Sequence, residues 1–155
     1  MSLNFDVIVI GGGAAGYHAA IRTAQLGLNT AIVEKWVNKV NLPAYGGTCL
    51  NVGCIPSKAL LETSHKFVDT RDHLADIGIK VKGVTADIPA VIAKKDEVVG
   101  NLTKGVQGLL KSNGVTTFEG MAVLHAGRKV AFTAHDGKAE ELVAEHVIIA
   151  TGSVP

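Results

Sequence analysis

The sequence has little of three things on which many binding surfaces depend: charge of one sign, aromatic side chains and a long apolar run. Its 15 lysines and arginines nearly balance 14 aspartates and glutamates, which leaves a net charge of +1. That balance gives no reason to expect nucleic acid or an anionic membrane as a partner. Aromatic residues make up 5% of the chain, which argues against a platform for stacking bases.

The most apolar stretch, residues 7–21, has neither the length nor the flanks of a membrane segment. It follows Asp6 and is interrupted by three glycines at 11–13. It is shorter than the ~20 apolar residues of a membrane helix, and it lacks the basic flank of a signal peptide. We therefore expect a soluble chain. With 155 residues, 47% of them hydrophobic, it is long enough for one domain with a core.

Cysteine is scarce as well, since Cys49 and Cys54 are the only two, both within GGTCLNVGCIPSK at 46–58. A disulfide that closes so short a loop adds little stability. In a reducing compartment, a cysteine pair is more often catalytic or metal-binding than structural. We expect a cytoplasmic chain whose cysteines take part in chemistry.

The spacing of the two cysteines limits how they can bond. Residues i and i+5 of an ideal helix have Cα atoms about 8.6 Å apart, whereas a disulfide spans roughly 4.4–6.8 Å. If they bond, the helix is distorted there or begins between them, and Pro56 is compatible with either. A zinc site would need about four ligands, and only His65 and His73 lie nearby in the sequence. We predict no metal; two unrelated core cysteines remain the other alternative.

A glycine motif near the start predicts a nucleotide site. FDVIVI at 5–10 indicates a buried strand, the next residues a helix closed by Gly27, and NTAIVE a second strand. In the turn between strand and helix, Gly11 permits the bend, Gly13 lets the backbone approach a pyrophosphate, and Gly16 allows close packing. Glu34 ends the second strand, where a carboxylate accepts hydrogen bonds from ribose hydroxyls. The motif does not separate NAD from FAD, and a plain glycine-rich turn is the alternative.

The remaining pattern predicts two helices followed by strands. After a polar loop at 35–45, we expect helices over 57–74 and 88–112. Strands are expected at 115–124, 129–134 and 146–152, with the HDGK sequence as a hairpin turn. The last strand runs into Thr151, Gly152 and Ser153, which either meet a ligand at the sheet edge or only form a turn.

Together these motifs resemble the flavoprotein disulfide reductases. GGTCLNVGCIPSKALL at 46–61 is similar to the dihydrolipoamide dehydrogenase branch, and DVIVIGGGAAGY, IAKKD, LTKGV and ATGSVP extend the resemblance along the chain. The resemblance implies an α/β fold, a Rossmann-like FAD-binding domain with a mostly parallel sheet, flanking helices and a small antiparallel β-meander. Residues 1–155 would be the N-terminal part of that domain, without the nicotinamide and dimerisation domains.

The resemblance also implies the site residues. Cys49 and Cys54 would form a redox-active disulfide beside the flavin, with Cys54 facing the flavin and Cys49 exchanging with substrate. The residues that it places around FAD are Gly11, Gly13, Gly16, Glu34, Lys35, Gly47, Thr48, Lys58, Ala122, Thr151, Gly152 and Ser153.

The implied activity belongs to a longer protein. It is oxidation of protein-bound dihydrolipoamide to lipoamide with reduction of NAD, on the lipoyl groups of 2-oxo acid dehydrogenase or related complexes, by a homodimer. We expect the 155-residue chain alone to be inactive and to retain FAD weakly. The alternatives are a mercuric reductase or another disulfide reductase of the same family, and a flavin-binding module without turnover.

Overall fold

The computed structural model describes residues 3–153, which form two compact units. The first unit combines the residues up to Gly47 with those from Thr103 onward, and the second comprises Thr48–Leu102. Among the described residues, no helix is both long enough and apolar enough to cross a membrane.

The first unit contains one five-stranded mixed sheet. The strands are β1 (Leu3–Ile10), β2 (Thr30–Glu34), β3 (Thr116–His125), β4 (Lys129–Ala134) and β5 (Ala139–Ile149). β1 lies parallel to β2 and to β5, and β2 lies parallel to β3, whereas β4 is antiparallel to both β3 and β5. The sequence of pairings closes on itself. The second half of β1, residues 7–10, and the middle of β2, residues 31–33, are apolar and buried, as expected of strands buried on both faces.

The predicted antiparallel meander is not separate from the parallel sheet. β3 and β5 each pair with parallel neighbours and with the antiparallel strand β4. Residues 116–119 of β3 pair with β2, and residues 120–125 pair with β4. The change of partner falls at Gly120, where a Cβ would lie 2.1 Å from the Thr133 carbonyl oxygen. β5 accordingly begins at Ala139, well before the predicted residue 146, and it ends at Ile149.

The core of this unit lies between the sheet's parallel and antiparallel parts. Its buried members are Ile8, Ile10, Ala31, Val33, Val130, Phe132, Leu142 and Ala144. The rings of Phe5 and Phe132 flank Phe118, with centroids 5.8 and 5.1 Å from it in edge-to-face geometry.

Helix α1 (Ala14–Gln25) connects β1 to β2 and packs against both. It ends as predicted at Gly27, which has φ +86° and donates its N–H to the Ala24 carbonyl at 2.9 Å. The predicted strand–turn–helix–strand unit is therefore present.

The second unit is helical. Helix α2 (Gly47–Asn51) leads into it, α3 (Cys54–Val68) follows and continues through a π-helical turn (Asp69–His73) and a 3₁₀ turn (Leu74–Ile77). The helix predicted from Ser57 thus begins at Cys54, because Pro56 lies in its first turn, where no backbone donor is needed. Helix α4 (Ile88–Ser112) matches the prediction, and its last residues belong to the first unit.

Candidate functional site

The turn after β1 is held so tightly that side chains are excluded from it. Gly11 has φ +105° and donates its N–H to the Val33 carbonyl at 2.8 Å. A Cβ on Gly11 would lie 2.3 Å from the Ala150 oxygen, and one on Gly16 would lie 1.8 Å from the Gly11 oxygen. The end of β1, the start of α1 and the residue after β5 therefore meet at this turn.

A second glycine turn lies against the first. The Gly46 N–H donates to the Gly12 carbonyl at 2.8 Å. Gly47 has φ +66°, and a Cβ on it would lie 2.8 Å from the Gly13 Cα. Gly13 is the N-cap of α1 and supplies no side-chain cap, and the first turn of that helix holds no acidic residue. Within residues 3–153, the N-cap residue therefore gives the N-terminal N–H groups of the helix no side-chain cap, an arrangement that suits an anion such as a pyrophosphate.

Glu34 has a defined place beside this turn. Its carboxylate is buried and accepts the Gly12 N–H at 2.7 Å on Oε2 and the Trp36 N–H at 2.8 Å on Oε1. Two backbone donors hold the side chain in position, and the oxygens keep lone pairs for a further donor such as a ribose hydroxyl. The adjacent Lys35 is exposed.

Tyr45 is a member of this site that the sequence did not predict. Its side chain is fully buried, and its Cδ1 would lie 2.6 Å from a Cβ on Gly12. Burial raises the pKa of Tyr45, and the carboxylates of Glu119 and Glu34 raise it further. A single tyrosine in a polar loop has no periodicity that could have revealed its burial.

A cleft of about 500 Å³ opens beside Tyr45. Its lining residues are Pro43, Tyr45, Gln107, Lys111, Gly114, Val115, Thr117 and Glu119.

The other predicted FAD contacts of the first unit lie at two places. Ala150 donates its N–H to the Ile10 carbonyl at 2.8 Å, so the exposed residues Thr151, Gly152 and Ser153 leave the sheet beside the glycine turn. Ala122 lies in β3 opposite Phe132 and packs, half-buried, against the core. These assignments remain predictions.

The two cysteines lie on successive helices. Cys49 is in α2, Cys54 is the first residue of α3, and both are exposed free thiols. The cysteines therefore do not share one regular helix. A helix begins between them, which is one of the two alternative arrangements that would allow a disulfide. The predicted FAD residue Thr48 precedes Cys49 and is exposed, as is Lys58, one turn beyond Cys54.

A hydrogen bond joins the side chains of Cys49 and Cys54. That bond to Cys54 raises the pKa of Cys49, with added contributions from partial desolvation and from charge on Cys54. The Cys54 backbone N–H and the Lys58 ammonium act in the opposite direction. Within residues 3–153, no cluster of three or more histidine, cysteine or acidic residues could hold a metal ion.

Comparison with known proteins agrees with this geometry. Residues 5–155 match the family described as pyridine nucleotide-disulphide oxidoreductase. Over 148 residues, 96% of this chain, it is 47% identical to dihydrolipoyl dehydrogenase 1, mitochondrial, of Arabidopsis thaliana. It is 46% identical over 155 residues to dihydrolipoyl dehydrogenase of Cupriavidus necator, and 46% identical over 148 residues to leghemoglobin reductase of Vigna unguiculata.

The aligned part is 28%, 32% and 27% of these three relatives respectively, so the chain spans about a third of their length or less. The match covers nearly all of the chain, from β1 to the residues after β5, and includes both glycine turns and both cysteines. This chain belongs to the pyridine nucleotide-disulphide oxidoreductase family.

Proposed function

We propose that the chain is the N-terminal part of the FAD-binding domain of a dihydrolipoamide dehydrogenase. The complete protein would oxidise protein-bound dihydrolipoamide to lipoamide and reduce NAD, using Cys49 and Cys54 as its redox pair. The observation that carries the proposal is the placement of two exposed thiols on successive helices, Cys49 in α2 and Cys54 as the first residue of α3. Relatives with 46–47% identity that are named dihydrolipoyl dehydrogenase support the substrate.

The residues of the first unit fit FAD. The uncapped N-terminus of α1 and the glycines at 13 and 47 leave a cradle that a Cβ would fill. Glu34 keeps lone pairs for the adenosine ribose beside that cradle. When bound, the flavin would supply the two-electron step between the dithiol and NAD.

The cysteines would carry the exchange with substrate. One thiolate of dihydrolipoamide attacks the sulfur of Cys49 in the Cys49–Cys54 disulfide, and Cys54 leaves as a thiolate. The second substrate thiolate then attacks the mixed disulfide, which releases lipoamide and leaves two reduced cysteines. The dithiol gives up two electrons and two protons in total; NAD would take the two electrons and one proton as a hydride, and the other proton would be released to solvent.

The local structure favours this division of labour. Cys54 lies at the N-terminus of the 15-residue helix α3, where the helix dipole favours an anion. Lys58 lies one turn further along the same helix, on the face that carries Cys54. Cys49 lies on the preceding helix, and its hydrogen bond to Cys54 raises its pKa. We therefore assign Cys54 to the flavin and Cys49 to the substrate.

The remaining assignments follow from the proposed enzyme. Its partners would be lipoyl groups of 2-oxo acid dehydrogenase or related complexes, and it would act as a homodimer. A cysteine pair that does redox chemistry and is not a structural disulfide is typical of a reducing compartment, which supports a cytoplasmic location.

The test uses the complete protein with FAD bound. Reduction of NAD by dihydrolipoamide is expected for the wild type and should fall to background in Cys49→Ser and in Cys54→Ser. Ser64→Ala, an exposed change in α3, is the matched control and should keep full activity. NADPH-dependent reduction of mercuric ion without lipoamide activity would indicate a mercuric reductase, and FAD binding without turnover would indicate a binding module. Either result would contradict the proposal.

A further inference from the structure

We propose that Gly53 is a positioning residue for the Cys49–Cys54 pair, because its missing side chain lets the two cysteine-bearing helices approach closely enough for the sulfurs to bond. The inference rests on the proposed redox function and deepens it. Gly53 itself touches neither substrate nor cofactor in this account; it acts through the two cysteines.

The first observation is a close approach of backbone to backbone. A Cβ on Gly53 would lie 3.0 Å from the Thr48 carbonyl oxygen and 3.3 Å from the Cys49 Cα. Few Cβ atoms approach other atoms so closely, and both neighbours are main-chain atoms. A rotation of a side chain therefore cannot relieve the contact.

The second observation is that hydrogen bonds tie both sides of this contact into helical turns. The Thr48 oxygen accepts the Val52 N–H at 3.0 Å within the turn that carries Cys49. The Gly53 oxygen accepts the Ser57 N–H at 3.1 Å and the Ser57 hydroxyl at 2.7 Å within the first turn of α3. A methyl group on Gly53 would therefore displace one cysteine-bearing turn relative to the other, rather than adjust locally.

Such a displacement penalises the disulfide more than the dithiol. A disulfide fixes its sulfurs about 2.05 Å apart and its Cα atoms within about 4.4–6.8 Å. Two thiols joined by a hydrogen bond tolerate a wider and more variable separation. An added methyl should therefore shift the equilibrium toward the dithiol. It should also weaken the thiol–thiol hydrogen bond and lower the pKa of Cys49 toward its ordinary value, since that bond is the first cause of its raised pKa.

The experiment measures this equilibrium in the 155-residue chain. The chain is equilibrated with mixtures of glutathione and oxidised glutathione, then quenched in acid, alkylated and weighed. Each oxidised glutathione takes two electrons and two protons from Cys49 and Cys54 and becomes two glutathiones. We expect Gly53→Ala to lower the oxidation constant about tenfold, a rise in potential of about 30 mV.

A matched control separates this effect from a general effect of alanine. Gly100 lies in α4, within the same unit, and a Cβ there would meet nothing within 4 Å. Gly100→Ala should leave the oxidation constant at the wild-type value. A second variant, Ser57→Ala, removes the hydroxyl hydrogen bond to the Gly53 oxygen without adding an atom near Cys49. We expect the oxidation constant to fall about threefold, the effect of one lost hydrogen bond.

The outcomes distinguish the inference from the proposal beneath it. If the wild type forms no Cys49–Cys54 disulfide in oxidised glutathione, the proposed redox function is wrong. If the wild type forms it and both Gly53→Ala and Ser57→Ala match the wild type, Gly53 is not a positioning residue and the redox function stands. If Gly53→Ala fails to fold by circular dichroism, the Ser57→Ala constant decides.

Discussion

The backbone N–H of Gly12 donates to the buried carboxylate of Glu34 over 2.7 Å, so the last residue of β2 fixes the turn that follows β1. The other oxygen of Glu34 accepts the Trp36 N–H at 2.8 Å, which also fixes the direction in which the chain leaves β2. Glu34, which is predicted to bind ribose, therefore also holds the glycine turn in position.

Replacing this carboxylate should cost stability even without cofactor. In Glu34→Gln, one oxygen becomes an NH₂ group that cannot accept the backbone N–H it faces. We expect a loss of about 1.5–3 kcal/mol in the free energy of unfolding, the range for hydrogen bonds to charged groups. Urea denaturation measures it. Glu145→Gln, an exposed change in β5, should alter stability by less than about 0.5 kcal/mol. Equal free energies of unfolding for the two variants would show that the Glu34 carboxylate does not hold the glycine turn.

Gly16 should tolerate no side chain. Gly16→Ala would place a Cβ 1.8 Å from the Gly11 oxygen, a contact that only a shift of α1 away from β1 relieves. We expect destabilisation of about 3 kcal/mol or more, the upper range for overpacking. The control is Gly108→Ala in α4, which meets nothing within 4 Å and should stabilise by up to about 1 kcal/mol through helix propensity. Thermal unfolding of the two variants would be compared, and a folded Gly16→Ala of wild-type stability would contradict the packing described here.

The alkylation profile of Cys49 should reveal its hydrogen bond to Cys54. Cys54→Ala removes that bond and the neighbouring charge, so the pKa of Cys49 should fall and alkylation should rise at lower pH than in the wild type. Lys58→Ala should move the profile to higher pH, because the ammonium lowers the pKa of Cys49. Iodoacetamide rates against pH, read by peptide mass, give both shifts. Shifts of the same sign would rule out this arrangement.

Tyr45 should make stability depend on alkaline pH. Its folded-state pKa is raised above the ordinary value of about 10. Above about pH 10 the unfolded chain loses this proton while the folded chain keeps it, so this contribution to stability is present below that pH and is lost as pH rises. Tyr45→Phe should flatten the alkaline fall of the unfolding free energy, whereas Tyr17→Phe should leave it steep. A parallel fall in Tyr45→Phe would mean that other groups cause it.

Local pattern predicted the βαβ unit and α4 well, because these depend on glycine placement and apolar periodicity near in sequence. Gly27 ends α1 and Glu34 ends β2 where the pattern placed them. The double role of β3 was missed, because its change of partner at Gly120 depends on the approach of Thr133 from another strand.

The candidate site, like the fold, could be predicted from the sequence only in part. The spacing of Gly11 and Gly16 in the sequence indicates that both pack closely against the backbone. Tyr45 and Gly53 act through contacts that cannot be predicted from any periodicity in the sequence. The helix expected over 57–74 begins three residues earlier, at Cys54, because a proline in the first turn costs no hydrogen bond.

The central claim is that Cys54 is the thiolate that faces the flavin and Cys49 is the sulfur that exchanges with substrate. The most direct measurement is the visible spectrum of the complete, FAD-loaded protein carrying Cys49→Ser or Cys54→Ser. We predict a long-wavelength thiolate-to-flavin absorption band in Cys49→Ser, and no such band in Cys54→Ser, where Cys49 stays open to alkylation. A band that persists in Cys54→Ser and vanishes in Cys49→Ser would contradict the assignment.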